Sequence, residues 1–172
     1  MSEKSYRIAF MGMGAAIVFV CGYFLKISVL NGYYNLEDCA VLILAFTMNM
    51  PVAVASAVGA GLCDLLSGSA IYAIPSSVIY AVIGVVTSII LSHKGRNGKS
   101  FCAYALAAIA CEGIVFAGYV STFCVLYGVS DFIGVSLFYL MQIALNLIVS
   151  LALYPVAVRI RKFTQNHIYR NI

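Results

Sequence analysis

His93-Lys94-Gly95-Arg96-Asn97-Gly98-Lys99-Ser100 decides the architecture of this 172-residue chain, because it is a basic break in otherwise apolar sequence. About four long apolar stretches precede it and two follow it. The other cations keep to the same kind of place. Lys4 and Arg7 stand before the first stretch, Arg159, Arg161, Lys162 and Arg170 stand at or beyond the end of the last, and Lys26 is set apart from both groups. An even number of crossings returns all three basic segments to one side of a membrane, which the positive-inside bias makes the cytoplasm.

Composition agrees. With 63% hydrophobic and 9% charged residues and a mean hydropathy of +1.02, the chain cannot present the surface of an ordinary soluble domain. The expectation is an all-α polytopic membrane protein: one transmembrane domain over residues 1–172, built as a bundle of six helices with both termini cytoplasmic. The spans fall at about 6–30, 36–48, 51–66, 76–91, 101–126 and 132–158. Spans two and three are at the short end for a hydrocarbon core of about 30 Å crossed at about 1.5 Å per residue. Asn31-Gly32 closes the first span, Asn49-Met50-Pro51 is a tight turn, and the third span is rich in small residues that let helices approach closely. The first span follows a short basic segment, as a signal peptide would, but its apolar run is too long and lacks a small-residue cleavage site, so it reads as a retained helix.

Several apparent motifs have plainer readings. A net charge of +4 suggests nucleic acid in a soluble protein, whereas here the cations lie at membrane boundaries and orientation explains them, so no nucleic-acid partner is expected. Six cysteines show no CxxC pair and sit mostly in apolar runs, which argues against a metal site or disulfide framework. Gly98-Lys99-Ser100 ends like a phosphate-binding loop, but His93 stands where the first glycine is needed. Gly12-Met13-Gly14 and Gly59-Ala60-Gly61 are half-fingerprints inside apolar helices and read as packing. No cofactor is implied, and any ATP dependence has to come from a partner.

The informative residues are polar ones within or at the ends of apolar spans, since a charge at mid-bilayer costs about 2.5–3.5 kcal/mol even on insertion scales. These are Asn35 and Asp38 at the start of span two, Asp64 near the end of span three, Glu112 mid-way along span five, and Gln142 and Asn146 in span six. On the expected topology nearly all lie in the outer half, so they can converge on an externally open pocket; the plainer alternative is interhelical hydrogen bonding and helix capping. Tyr33, Tyr34, Tyr72, Tyr119, Tyr127 and Tyr139 gather toward the same side. Interfacial belting accounts for much of that, but tyrosines beside acids also suit a flat heteroaromatic ligand.

Tyr34-Asn35-Leu36-Glu37-Asp38, then Pro51-Val52-Ala53 and a small-residue helix ending in Gly61-Leu62-Cys63-Asp64-Leu65-Leu66-Ser67-Gly68, resembles the S component of an energy-coupling factor (ECF) vitamin transporter. Within that family it is most similar to the riboflavin-type and the hydroxymethylpyrimidine- or pyridoxine-type groups. The resemblance implies a multi-pass protein of the bacterial plasma membrane, without catalysis, that binds a small water-soluble vitamin or precursor on its outer face. It implies as partners a transmembrane T component and two ABC ATPases that drive it. Taken with the polar residues of the spans and the outer tyrosines, it points to a pocket from Tyr33, Tyr34, Asn35, Asp38, Asp64, Tyr80, Glu112, Tyr119 and Gln142, and the resemblance implies a T-component docking strip on the first helix at Gly12, Ala15 and Ala16. Many relatives carry a Lys-Gly pair in the fourth helix where this chain has Tyr80-Ala81. Without that lysine, the ligand is expected to be less acidic, or to carry a basic group facing Glu112. Two other classes stay open on the sequence: a membrane scaffold of the cell-shape or assembly type, which needs no outer polar pocket, and a solo proton-coupled carrier with Glu112 as relay. An enzyme is disfavoured, because neither His93 nor His167 lies in a span.

Overall fold

In lipid the backbone has to satisfy its own polar groups, and a helix does so within one segment. The computed structural model describes residues 3–29, 32–48, 52–94 and 101–167. Among them the chain forms seven helices: α1 (Glu3–Tyr23), α2 (Glu37–Met48), α3 (Val52–Leu66), α4 (Ala73–Lys94), α5 (Phe101–Tyr127), α6 (Phe132–Ala152) and α7 (Tyr154–His167). A single 3-10 turn, Ala70–Tyr72, leads into α4. The segment Ala70–Ser92, α5 and α6 are each long and apolar enough to cross a membrane, while α1 and α3 carry the shorter apolar segments Ile8–Tyr23 and Val52–Leu66. The Asn49-Met50-Pro51 turn, residues 95–100 of the basic loop, Asn31 and Arg170 lie outside the described residues, as do the side chains of Lys4, Arg7, Tyr33 and His93.

Two expected boundaries are corrected. The first helix stops at Tyr23 instead of running to residue 30, and Lys26–Val29 (β1) pairs antiparallel with Gly32–Asn35 (β2), Lys26 opposite Asn35 and Ile27 opposite Tyr34. The all-α bundle therefore carries one small hairpin. Its local signal is the Asn31-Gly32 reversal between strand-favouring Ile27, Val29, Tyr33 and Tyr34. A lone two-stranded hairpin is marginal. This one rests against α1, and Tyr34 packs on Phe138 of α6 with ring centroids 4.9 Å apart. The last span, expected to continue to residue 158, breaks at Leu153 instead. Pro155 has no N–H to give the Leu151 carbonyl, so the helical ladder is interrupted there and α7 starts anew. α7 then turns back onto α2, with the Arg161 guanidinium 4.8 Å from the centre of the Phe46 ring.

α2 is the hub. It touches each of the other six helices, and Asp38, Val41, Leu42 and Phe46 are all within 2% of complete burial. Its 12 residues span only about 18 Å, the shortest of the expected crossings, and it lies enclosed by the other helices. Around it, α3 packs on α1 and α4, α4 on α5, and α5 on α6. Glycines permit the closest of these approaches: a Cβ on Gly59 would meet the Ala15 carbonyl oxygen at 2.7 Å, and one on Gly84 would meet the Ala53 backbone nitrogen at 2.7 Å. At the α3–α4 approach the Ser56 hydroxyl lies between two carbonyl acceptors, 2.6 Å from Val52 of its own helix and 2.8 Å from Tyr80 of α4.

The outside is apolar. Val125 is 85% exposed, Ile74 78% and Ile133 75%, a pattern stable only where the surrounding solvent is lipid.

Candidate ligand-binding cavity

The hairpin, the α3–α4 connection and the α5–α6 connection all meet at the end of the bundle where α3 and α5 finish and α4 and α6 begin. Between them lies a cavity of about 390 Å³, which is within the usual range for a small-molecule site. Each of its walls follows from local sequence.

Asp64 is set by how α3 stops. Gly68 takes φ +82°, the left-handed conformation that costs a residue with a Cβ about 1–2 kcal/mol. The Ser69 N–H then reaches back to the Asp64 carbonyl at 3.0 Å, the bond of a Schellman motif. This turn puts Asp64, Ser69 and Tyr72 side by side on the cavity wall. Ser76, at the start of α4, donates its hydroxyl to the Asp64 carboxylate and lies 2.7 Å from the Tyr119 hydroxyl. Since Ser76 has one hydrogen and gives it to Asp64, Tyr119 is the donor in the second bond. The chain Tyr119–Ser76–Asp64 thus locks α3, α4 and α5 together beside the cavity.

α5 and α6 supply an aromatic wall. Tyr119 and Tyr139 stack with centroids 5.4 Å apart and planes 15° from parallel. Phe138 meets Tyr139 edge-on at 5.4 Å, and Tyr72 lies 6.5 Å from Tyr119. Phe123 and Val135 complete the apolar lining, Gln142 sits deeper along α6, and Asp131 stands in the α5–α6 connection.

The inner wall is polar. Asn35 accepts from the Glu37 N–H at 3.4 Å and donates to the Glu37 carboxylate at 3.4 Å, which fixes the entry into α2. Tyr80 lines the cavity with its ring and donates its hydroxyl to Asp38 Oδ1 at 2.6 Å. The other Asp38 oxygen accepts from Asn146 Nδ2 at 2.6 Å, and Asn146 in turn takes the Cys39 thiol at 3.5 Å.

Of the residues anticipated from sequence, Asn35, Asp64, Tyr80, Tyr119 and Gln142 line this one cavity. Asp38 lies behind Tyr80, with both oxygens engaged by the protein. Glu112 is 3% exposed on α5 and does not line the cavity. Tyr34 sits beside it against Phe138, and the Tyr33 side chain is outside the described residues. Glu37, Phe123, Asp131, Phe138 and Tyr139 line it as well and were not singled out, although Tyr139 belongs to the tyrosine cluster. On α1, Gly12 and Ala16 face outward, with open space around the Gly12 Cα, while Ala15 is half-buried and its carbonyl abuts Gly59.

A helical bundle with a lipid-facing exterior and a ligand-sized aromatic and acidic cavity at one end defines a membrane protein that holds a small molecule. The family model for the ECF-type riboflavin transporter S component matches residues 2–162, and the chain belongs to that family. It is accordingly a substrate-binding transporter component and not an enzyme. No curated protein matched the chain.

Proposed function

We propose that this chain captures a small water-soluble vitamin or vitamin precursor from the outer face of the plasma membrane and passes it inward through a T component powered by two ABC ATPases. In this reading the protein crosses the bilayer six times, both termini are cytoplasmic, and the cavity opens outward. The observation that carries it is the cavity itself: about 390 Å³, lined by aromatic and by polar side chains, at the end of the bundle where α3 and α5 finish. Asn35, Asp64, Tyr80, Tyr119 and Gln142 contact the ligand directly, Tyr33 and Tyr34 border the entrance, and Asp38 and Glu112 act from behind them. A scaffold protein has no use for such a cavity.

Docking on the T component falls to the outward strip of α1, where Gly12 and Ala16 are one turn apart and leave room for a partner backbone. Ala15 supports the strip from its inner edge. The test is thermal stabilisation of the detergent-purified chain across the B-group vitamins and their precursors. A ligand at 100 times its Kd adds about 2.7 kcal/mol. A clear shift with at least one compound is the expected result; no shift with any, in protein shown to be folded, refutes the proposal.

A further inference from the structure

The charged groups on the cavity wall are of one sign. Glu37, Asp64 and Asp131 line it, and among the described residues no Lys, Arg or His does. Asp38 and Glu112 lie buried in the same bundle, 1% and 3% exposed. Lys26 pairs with Asn35 in the hairpin, but its ammonium sits 4.8 Å from the centre of the Tyr23 ring and it is not part of the lining.

Glu37 turns this acidity into a requirement on the ligand. It lines the cavity, is 3% exposed, and its Oε1 is buried without a hydrogen-bond partner among the described residues. Its other oxygen receives a long bond, 3.4 Å, from Asn35. Tyr80 stands nearby but gives its single hydroxyl hydrogen to Asp38. A buried carboxylate oxygen of this kind needs a donor, and a cationic donor best of all. The rings of Tyr119, Tyr139, Tyr72 and Phe138 line the same cavity, and their π faces attract a cation as well as a flat ring.

We propose that the ligand is a flat nitrogen heterocycle carrying a positive charge or a protonated amine, with its N–H donors on Glu37 and its ring against the Tyr119–Tyr139 wall. The proposal rests on the vitamin-binding reading above and narrows it to one charge class. Anionic compounds are rejected because the cavity wall offers them acidic side chains and, among the described residues, no Lys, Arg or His to meet their charge. Neutral flavins leave Glu37 without a charged partner.

The experiment is calorimetric titration of the full-length purified chain with two groups of probes. One group is thiamine, pyridoxamine and the aminopyrimidine precursor of thiamine; the other is riboflavin, biotin, pantothenate and nicotinate. The tightest binder is expected in the first group, exceeding every member of the second by about 30-fold or more, the worth of a buried charge pair. Glu37→Gln is expected to weaken that binder by about tenfold or more while leaving the melting temperature within a few degrees. Tyr139→Leu serves as a second variant should Glu37→Gln not fold, and is expected to weaken the same cation through the lost stacking face. If riboflavin or an anion binds tightest, the charge-class proposal falls and the vitamin-binding reading survives. If a cation binds tightest but neither variant weakens it, the assignment to Glu37 and the aromatic wall falls. If nothing in either group binds to folded protein, both fall.

Discussion

Replacing Asp38 tests how the cavity is held open. Asp38 is 1% exposed and receives two bonds of 2.6 Å, from Tyr80 on α4 and Asn146 on α6. Asp38→Ala leaves a buried hydroxyl and a buried amide without their acceptor. Hydrogen bonds to charged groups contribute about 1.5–3 kcal/mol each in soluble proteins, and interhelical ones in membranes about 0.6 kcal/mol on average with a maximum near 1.7. Two of them give about 3–6 kcal/mol on the first scale and about 1–3 on the second, and we expect a loss near 3 kcal/mol, where the two meet. Asp38→Asn keeps an oxygen for Tyr80 and, with Asn146 turned over, exchanges one amide bond for another. The cost is then the weak thiol contact from Cys39 and the lost charge, about 1 kcal/mol. Reversible unfolding in mixed detergent micelles, followed by circular dichroism, measures both. Losses below about 1 kcal/mol for Asp38→Ala, or equal losses for the two variants, would refute the idea that this carboxylate joins α2, α4 and α6 behind the cavity.

Gly59→Ala forces a methyl to within 2.7 Å of the Ala15 carbonyl and is expected to cost about 1–3 kcal/mol. Gly12→Ala, with nothing within 4 Å of the new Cβ, gains about 1 kcal/mol or less in helix propensity, and paired melts compare them. Ala16→Leu fills the outward strip of α1, so pull-down of a co-expressed T component and its ATPases is expected to fail while vitamin binding to the isolated chain is unchanged. Glu112→Gln measures how deep the ligand reaches: for a ligand confined to the lining residues, calorimetry gives a change below about threefold, whereas a tenfold loss puts Glu112 in contact with it.

Helix order and the gathering of polar residues at one end were readable because both follow from the cost of polarity in lipid. Asp64 and Gln142 stood out as polar groups in apolar runs and Tyr119 as one of the outer tyrosines, while Tyr80 entered through the family resemblance; all four line the cavity. Phe123, Val135 and Phe138 did not, because an apolar residue on an apolar helix carries no mark of facing a ligand instead of lipid. Glu37 and Asp38 show the same limit more sharply. Adjacent residues point about 100° apart on a helix, and the rotation that turns Glu37 to the cavity and Asp38 to the interior is fixed by packing that hydropathy does not encode. The β1–β2 hairpin was concealed by its own apolar residues, which extended the first span, and the break before α7 by a single Pro155 in a run that otherwise reads as continuous.

The chain has no tryptophan, so Phe138→Trp places a single indole on the cavity wall, and Ile8→Trp, at a site 64% exposed on α1, serves as the remote control. Titrating both variants with thiamine and with riboflavin, alongside calorimetry on the same samples, asks directly whether a vitamin occupies this cavity. The account predicts that the vitamin which releases heat also quenches the Phe138→Trp emission, saturating at one molecule per chain, and leaves Ile8→Trp unchanged once light absorbed by the ligand is corrected for. Heat of binding without any change at Phe138→Trp would place the ligand elsewhere and contradict it.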